Sequence, residues 1–186
     1  MSSPELFTIG HSTHSLDEFL ALLAQHSIKV LADIRRFPGS RKFPHFNREN
    51  LASVLPQAGI EYHWLEALGG RRHKQTSGSS HNLGLRNESF RNYADYMPTE
   101  EFRAGVQQLL AAATGKPTAF MCSESVFWRC HRRLVSDYLL AKGIIVHHIM
   151  PSGELRPHTL TKGARVDAEE VTYPPPEADQ GQLLFD

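Results

Sequence analysis

Short β-prone runs alternate with helix-like segments along most of this sequence, and this alternation limits the possible folds more than any other feature. The apolar runs are Leu6–Gly10, Lys29–Ile34, Ile60–Leu65, the run beginning at Thr118, and Ile144–Met150. The segments between them carry apolar residues at helical spacing, and Ser15 to Glu18 match a helix capping box. The pattern predicts an α/β fold, with a mostly parallel sheet covered by helices on both faces.

Length and composition indicate one domain. The 186 residues are 40% hydrophobic, which is enough for a single sizeable core. We assign residues 1–170 to one α/β catalytic domain and residues 171–186 to a Pro-rich linker and a C-terminal tail, because three prolines follow Tyr173. The formal net charge is zero, so affinity for polyanions would have to come from local basic clusters.

Two cysteines do not make a disulfide framework, and the N-terminus does not resemble a signal peptide. No apolar stretch is long enough to span a bilayer. We therefore expect a cytoplasmic protein that does not associate with membranes.

Residues whose side chains are suited to catalysis or ligand binding follow three of the predicted strands. They are His11 after the first, Asp33, Arg35 and Arg36 after the second, and Cys122 and Glu124 after the strand at Thr118. In parallel sheets, ligands bind outside the carboxyl ends of the strands. We therefore expect these side chains at one edge of the sheet, with His158 approaching from beyond the last strand.

The segment Thr118–Arg133 holds both cysteines of the protein. Cys122 follows a strand, where a helix N-terminus and nearby guanidinium groups would lower its thiol pKa and suit it to nucleophilic or redox chemistry. Alternatively, Cys122 is a small buried hydrophobe. Metal binding would need both cysteines and histidines to converge, but their spacing matches no common zinc pattern. We expect no metal and no other cofactor.

Asp33 and Glu124 are the carboxylates best placed for catalysis. An ionised carboxylate in an arginine-rich pocket could activate water or stabilise an oxocarbenium-like centre, as glycosidic cleavage requires. The alternative is a salt bridge with an arginine, which we expect for one of the two. His11 and His131 are candidates for contacts with a leaving base.

The loop Arg35–Phe46 is rich in basic and aromatic residues and is interrupted by prolines. It is either a solvated loop anchored by its phenylalanines or a surface for phosphate contacts and base stacking. The anion-binding candidates here and elsewhere are Arg35, Arg36, Arg41, Arg71, Arg129 and Arg132. The stacking candidates are Phe37, Phe43 and Trp128.

The tail ends in Gln180-Gly181-Gln182-Leu183-Leu184-Phe185-Asp186. The spacing of Gln180, Leu183 and Phe185 resembles the peptide by which bacterial DNA polymerases and repair enzymes bind the sliding clamp. The alternative is that Leu183–Phe185 folds back onto its own domain.

Four motifs extend over nearly the whole domain. They are Thr8-Ile9-Gly10-His11-Ser12, Asp33-Ile34-Arg35 with Pro38, Ser40 and Arg41, Leu68-Gly69-Gly70-Arg71, and Met121-Cys122 with Glu124, Cys130, His131 and Arg132. Together they resemble the bacterial and archaeal family called domain of unknown function 488. The resemblance implies a compact α/β domain and no settled activity.

These observations favour a DNA-directed enzyme, a repair hydrolase that cleaves the N-glycosidic bond of a modified base. We expect the partner to be DNA and not RNA. Two alternatives stay open: a thiol enzyme for sulfur transfer or redox work on a small anion, with Cys122 as nucleophile, and a non-catalytic nucleic-acid-binding module.

Overall fold

A computed structural model describes residues 5–75 and 78–177 of the chain. Its main sheet has six strands in the order β3-β2-β4-β1-β5-β6. These strands are β1 (Glu5–Gly10), β2 (Val30–Asp33), β3 (Glu61–Trp64), β4 (Thr118–Cys122), β5 (Ile145–Ile149) and β6 (Leu155–Pro157). Strands β1 to β5 pair in parallel and β6 runs antiparallel at one edge, which confirms the predicted α/β class.

Within residues 5–75 and 78–177, five α-helices connect or follow the strands. They are α1 (Leu16–Gln25), α2 (Arg48–Gln57), α3 (Glu88–Tyr96), α4 (Glu100–Ala112) and α5 (Arg132–Ala141). The predicted capping box begins α1, since Ser15 accepts from the amide of Glu18 and the Glu18 carboxylate accepts from the amide of Ser15. Thr99 likewise accepts from the amide of Phe102 at the start of α4.

Helices cover both faces of the sheet, as predicted. Phe19 of α1 and Leu51 of α2 pack in one buried cluster, whereas Phe102 of α4 and Leu134 of α5 pack in the other. Alternate residues of a strand point to opposite faces. Accordingly, the sheet separates two apolar cores, and both hold its strands in register.

The described domain extends past the predicted boundary at residue 170. Strands β7 (Arg165–Asp167) and β8 (Glu170–Thr172) form a small hairpin, and Tyr173 is buried beyond it. The amide of Tyr173 donates to Asn82 Oδ1 at 2.9 Å, and its hydroxyl donates to Asp137 Oδ2 at 2.7 Å. Residues 171–173 therefore belong to the domain. Gln180, Leu183 and Phe185, the predicted clamp-binding residues, lie outside the described residues.

Neighbouring strands end at the same edge of the sheet. Gly10 at the end of β1 lies beside Cys122 at the end of β4, and Asp33 at the end of β2 lies beside Met121 of β4. The loops that follow β1, β2 and β4 therefore meet at one edge.

Candidate functional site

A cavity of about 620 Å³ lies at this edge of the sheet. The loops after β1, β2 and β4 enclose it, together with Gly70, Arg71 and three residues of α3, Ser89, Phe90 and Tyr93. Ten predicted site residues line it: His11, Arg35, Arg36, Phe37, Phe43, Arg71, Cys122, Glu124, Arg129 and His131. Four predicted residues do not line it, namely Asp33, Arg41, Trp128 and Arg132.

Glycine allows the backbone segments around the cavity to approach one another closely. A Cβ atom on Gly10 would lie only 1.7 Å from the carbonyl oxygen of Glu124, and one on Gly70 would lie 2.9 Å from Nδ1 of His131. Both distances are shorter than any normal contact of a Cβ atom, so the neighbouring atoms would have to move if either glycine carried a side chain. Gly10 thus lets β1 support the backbone of the β4 loop directly, and the position of Glu124 depends on that contact.

Asp33 lies behind the cavity as the anchor of Arg35. Its Oδ1 accepts from Arg35 Nε at 2.8 Å and its Oδ2 accepts from Arg35 Nη2 at 2.6 Å, which makes a bidentate pair. The Tyr62 hydroxyl donates to the same Oδ2 at 2.6 Å, and Asp33 is 0% exposed. Burial and the Asp33 charge raise the pKa of Tyr62, so this hydroxyl keeps its proton. Asp33 is therefore the salt-bridged member of the predicted carboxylate pair.

His11 lines the cavity as a neutral imidazole. Burial and the neighbouring Arg35 guanidinium lower the pKa of His11 to about 4. In the neutral ring, Nδ1–H donates to the carbonyl of Ser12 at 3.0 Å, and Nε2 accepts from Arg35 Nη1 at 3.3 Å. Both ring nitrogens thus have protein partners, and the ring stacks on Phe46 at 4.4 Å between centroids.

Arg132 lies buried behind the cavity lining, and this corrects its predicted role in anion binding. Its guanidinium donates to Cys122 Sγ at 3.1 Å, to Thr8 Oγ1 at 3.1 Å and to the carbonyl of Glu124 at 2.7 Å. The residue is 1% exposed. Because protein atoms take up these donors and solvent does not reach the side chain, Arg132 fixes the loop after β4 and does not present itself to a phosphate.

The structure shifts the pKa values of the two thiols in opposite directions. Both Cys122 and Cys130 are buried, are free of disulfides and line the cavity. Burial and the neighbouring Cys130 raise the pKa of Cys122 well above its usual value. This contradicts the expectation of a lowered pKa, which rested on a helix N-terminus after Cys122 and on nearby guanidinium groups, because burial outweighs the positive charge of Arg132. Helix α5 begins only at Arg132, so its N-terminus does not act on Cys122 in that way.

Cys130 has the more acidic thiol. Burial by itself raises its pKa, but the contact with Cys122 and the positive charge of Arg132 outweigh burial and lower it. Nε2–H of His131 donates to the carbonyl of Ile34 at 2.9 Å, which leaves Nδ1 unprotonated and 3.4 Å from Cys130 Sγ. Burial lowers the pKa of His131 and keeps this ring neutral. Cys130 and His131 therefore form a thiol–imidazole contact beside the cavity.

Glu124 is the carboxylate that faces the cavity. Its backbone amide donates to Cys122 Sγ at 3.3 Å, and its carbonyl is held by Arg132, so the main chain is fixed at both ends of the residue. The side chain is exposed and, among the described residues, makes no hydrogen bond or ion pair within contact distance. The arrangement combines a rigid backbone with an available carboxylate.

Arginine and aromatic side chains make up much of the remaining lining. Arg36 donates through Nη1 to the carbonyl of Arg71 at 2.7 Å, whereas its Nε is buried without a partner among the described residues. Phe37 is 63% exposed at the rim, with the Arg36 guanidinium 5.5 Å from its ring centre. Such a surface can contact a phosphate and a flat ring at the same time.

Trp128 and Arg41 lie apart from this surface. Trp128 packs edge-on against Phe127, with centroids 5.1 Å apart, and Phe127 in turn stacks on His148. Arg41 is exposed on the loop between β2 and α2 but does not reach the cavity lining. The structure thus places neither in the cavity lining beside Phe37 and Phe43.

Sequence reasoning missed several residues of the cavity. Ser12, Phe90, Tyr93 and Cys130 line it without having been assigned a role there. Ser12 has a positive φ of 47°, which an isolated serine in a turn does not reveal from sequence. Phe90 and Tyr93 lie three residues apart on α3 and share a helix face, but the sequence does not indicate that this face reaches the edge of the sheet.

Among the described residues, no group of three or more His, Cys, Asp or Glu side chains is arranged to hold a metal ion. None of the described helices combines the length and the apolar character needed to cross a membrane.

Fold and site together define a class: an α/β protein with an arginine-rich, aromatic-rimmed cavity at the carboxyl edge of a parallel sheet. A family model described as a domain of unknown function, DUF488, matches residues 15–139, more than half of the chain. The chain belongs to this family. Comparisons with curated proteins and with solved structures gave no significant match.

Proposed function

We propose that this protein is a DNA-directed repair hydrolase that cleaves the N-glycosidic bond of a modified base. The observation that carries the proposal is Glu124, the one carboxylate among the cavity-lining residues, in a lining whose other formal charges are arginines. Cleavage of an N-glycosidic bond needs such an anion, because positive charge develops on the sugar ring in the transition state.

The remaining lining suits a nucleotide turned out of its duplex. Enzymes that act on bases extrude the target nucleotide into a pocket and hold the base by stacking. Phe37 and Phe43 supply aromatic faces, while Arg36, Arg71 and Arg129 supply positive charge for the flanking phosphates. In this scheme, the oxygen of a water molecule bonds to the anomeric carbon of the sugar as the bond from that carbon to the base breaks. Glu124 orients the water or stabilises the developing cation, and the proton that the water loses balances the proton that the departing base takes up.

The test is release of free base from a panel of duplexes, each carrying one modified base. Purified wild-type protein should bind DNA in a salt-sensitive manner and release at least one base. Glu124→Gln should lower the release rate by about 10²–10⁴-fold, because it removes the charge and keeps the size. Glu154→Gln is the matched control, since Glu154 is exposed in the turn after β5 and away from the cavity.

Three outcomes would decide against or narrow the proposal. Absence of both DNA binding and base release would contradict it. Binding that survives Glu124→Gln together with Asp33→Asn, without turnover by the wild type, would indicate a non-catalytic binding module. Activity that Glu124→Gln leaves unchanged would remove Glu124 from the mechanism.

A thiol enzyme is the second candidate, and the contact between Cys130 Sγ and the unprotonated Nδ1 of His131 favours it. In that case Cys122 or Cys130 would attack a small anionic substrate held by the arginines, as in sulfur transfer or redox chemistry. Cys122→Ser and Cys130→Ser separate the two candidates. Substitution of the cysteine that acts as nucleophile abolishes the activity of a thiol enzyme. A hydrolytic glycosylase largely retains its rate in both variants.

The proposal extends to a cellular setting and a partner. Two free thiols suit the reducing cytoplasm, where the chromosome of a bacterium is accessible. Gln180, Leu183 and Phe185 would dock on a sliding clamp and bring the enzyme to DNA. Removal of residues 178–186 should abolish clamp binding in a pull-down with purified clamp and leave base release from short duplexes unchanged.

A further inference from the structure

Two opposite charges are buried within α5 without touching each other. Arg132 is 1% exposed and Asp137 is 0% exposed, yet no ion pair joins them among the described residues. A buried charge without compensation is strongly unfavourable, so each needs polar partners. Thr8, His148 and His158 lie between them, and we call these five residues the Arg132–Asp137 network.

The contacts in this network are short and continuous. Arg132 Nη1 lies 3.1 Å from Thr8 Oγ1, which lies 2.7 Å from His148 Nδ1. His148 Nε2 lies 2.9 Å from His158 Nδ1, and His158 Nε2 lies 2.8 Å from Asp137 Oδ1. All three linking residues are buried. One hydrogen-bonded path therefore connects the guanidinium to the carboxylate.

Only one arrangement of protons gives every contact a donor and an acceptor when both imidazoles are neutral. The carboxylate of Asp137 must accept, so His158 carries its proton on Nε2 and accepts through Nδ1. His148 then donates from Nε2 and accepts from the Thr8 hydroxyl through Nδ1. Burial and the neighbouring His158 lower the pKa of His148 to about 2, consistent with a neutral ring. All the bonds point from the cation to the anion.

The network ends at the candidate site on one side and at the C-terminal segment on the other. At the site, Arg132 holds Cys122 Sγ and the Glu124 carbonyl. At the far end, Asp137 also accepts from the Thr161 amide at 2.9 Å and from the Tyr173 hydroxyl at 2.7 Å. Those two donors lie beyond the part of the chain that the family model matches.

We propose that Thr8, His148, His158 and Asp137 are positioning residues, which hold the Arg132 guanidinium in the one orientation that fixes Cys122 and the backbone of Glu124. Arginine does not lose its proton in proteins, so the network orients charge and does not conduct protons to the site. The consequence for catalysis rests on the proposed function, whereas the positioning itself is measurable without any substrate.

The test uses the thiols as reporters. The positive charge of Arg132 favours the thiolate form of both cysteines, although burial keeps the pKa of Cys122 high overall, so a displaced guanidinium raises the pH midpoint of their alkylation. Thr8→Val keeps the shape of the side chain and removes the hydroxyl. Alkylation of Cys122 and Cys130 by iodoacetamide, followed by peptide mass spectrometry across pH, should show an upward shift of about one pH unit, or about tenfold slower reaction at neutral pH.

Two further variants separate positioning from general loosening. Thr8→Ser keeps the hydroxyl and should restore the wild-type midpoint. Ser136→Ala removes another buried hydroxyl, which donates to the Arg132 carbonyl at 2.7 Å but lies outside the network. It should leave the midpoint unchanged even where thermal unfolding shows a comparable loss of stability. A midpoint that does not move in Thr8→Val, or that moves equally in Ser136→Ala, would overturn the proposal.

A measurement on the wild-type protein keeps the proposal testable if Thr8→Val does not fold. Nitrogen-15 chemical shifts of the histidine rings should show both His148 and His158 neutral and protonated on Nε2 at pH 7. A doubly protonated ring, or a proton on Nδ1 of either residue, would break the oriented path and overturn the proposal. Because neither readout involves DNA, a failure of the network and a failure of the glycosylase proposal are distinguishable.

Discussion

Two carboxylates follow neighbouring parallel strands at the same edge of the sheet, and their surroundings differ. Asp33, at the end of β2, is fully buried and is bound by Arg35 and by the Tyr62 hydroxyl. Glu124, in the loop after β4, is exposed and lines the cavity, and it is its backbone that is held in place. At the β2 end the side chain is fixed, and at the β4 end the main chain is fixed.

Asp33 therefore has a structural role at the cavity, whereas the side chain of Glu124 is available to contact a ligand. A carboxylate has about four lone-pair sites, and Asp33 uses four of them to accept from the amide, Nε and Nη2 of Arg35 and from the Tyr62 hydroxyl. It therefore has no free lone pair for a ligand, although its charge keeps Arg35 in place. A carboxylate on a rigid main chain keeps its side chain free to meet a substrate. Proximity to arginines in the sequence is common to both residues and does not distinguish them.

The largest expected effect is on stability at the β2 end. Asp33→Asn leaves the Arg35 guanidinium buried without a counter-ion, and it should lower the free energy of unfolding by about 3–5 kcal/mol. Glu124→Gln should change it by no more than about 0.5 kcal/mol, as expected for an exposed side chain. Urea denaturation of both variants measures the contrast, and equal losses would show that the two carboxylates have the same structural role.

The next effect concerns pH and His11, which lies against Arg35. In the folded protein the pKa of His11 is about 4, so the ring stays neutral until the pH falls to that value. In the unfolded chain the pKa of His11 is about 6.5, so the ring takes up its proton at a higher pH. The unfolded state therefore binds more protons between these values, and stability falls as the pH falls through this window. His11 should account for about 3 kcal/mol of that loss.

Urea denaturation at pH 7 and pH 4.5 should show a smaller loss for His11→Asn than for the wild type. His81→Asn provides the control because His81 is exposed. An equal loss in the wild type and in His11→Asn would mean that the Arg35 side of the cavity admits a charged imidazole.

A smaller effect is expected where β1 supports the β4 end. Gly10→Ala places a methyl group against the carbonyl of Glu124 and should cost about 1–3 kcal/mol of stability, because the loop has to move. It should also lower base release by displacing Glu124. Gly39→Ala is the control, since a Cβ atom there meets nothing within 4 Å. Base release at the wild-type rate in Gly10→Ala would show that the activity does not depend on the position of the Glu124 main chain.

The smallest effect separates the arginines that line the cavity from those that do not. Arg71→Ala should weaken DNA binding similarly for all sequences and reduce the slope of log affinity against log salt by about one. Arg41→Ala should change this slope less, because Arg41 lies outside the cavity lining. Titrations by fluorescence anisotropy at several salt concentrations give both slopes. A larger change in slope for Arg41→Ala than for Arg71→Ala would indicate that the DNA does not bind along the cavity.

The order of elements and the edge that carries the site could be predicted from local signals. The Ser15 capping box, the apolar stripe of α4 and the short β-prone runs depend on residues close in sequence, so the pattern indicates them directly. The rule that ligands bind at the carboxyl ends of parallel strands then placed His11, Arg35 and Cys122 at one cavity. Contacts between distant residues could not be predicted in this way, and the lowered pKa assigned to Cys122 was wrong because burial outweighs the nearby positive charge.

The sequence by itself determined the α/β class, the family and the charged residues that line the cavity, because alternation and motif spacing are local properties of the chain. Only the tertiary structure decided which of two similar carboxylates is buried and which is free. It also decided that Arg132 faces inwards, towards Thr8 and the two histidines, and not towards a ligand. Burial and hydrogen bonding between residues distant in sequence set these outcomes, as in the contact of Asp33 with Tyr62, 29 positions away, and of Arg132 with Thr8, 124 positions away.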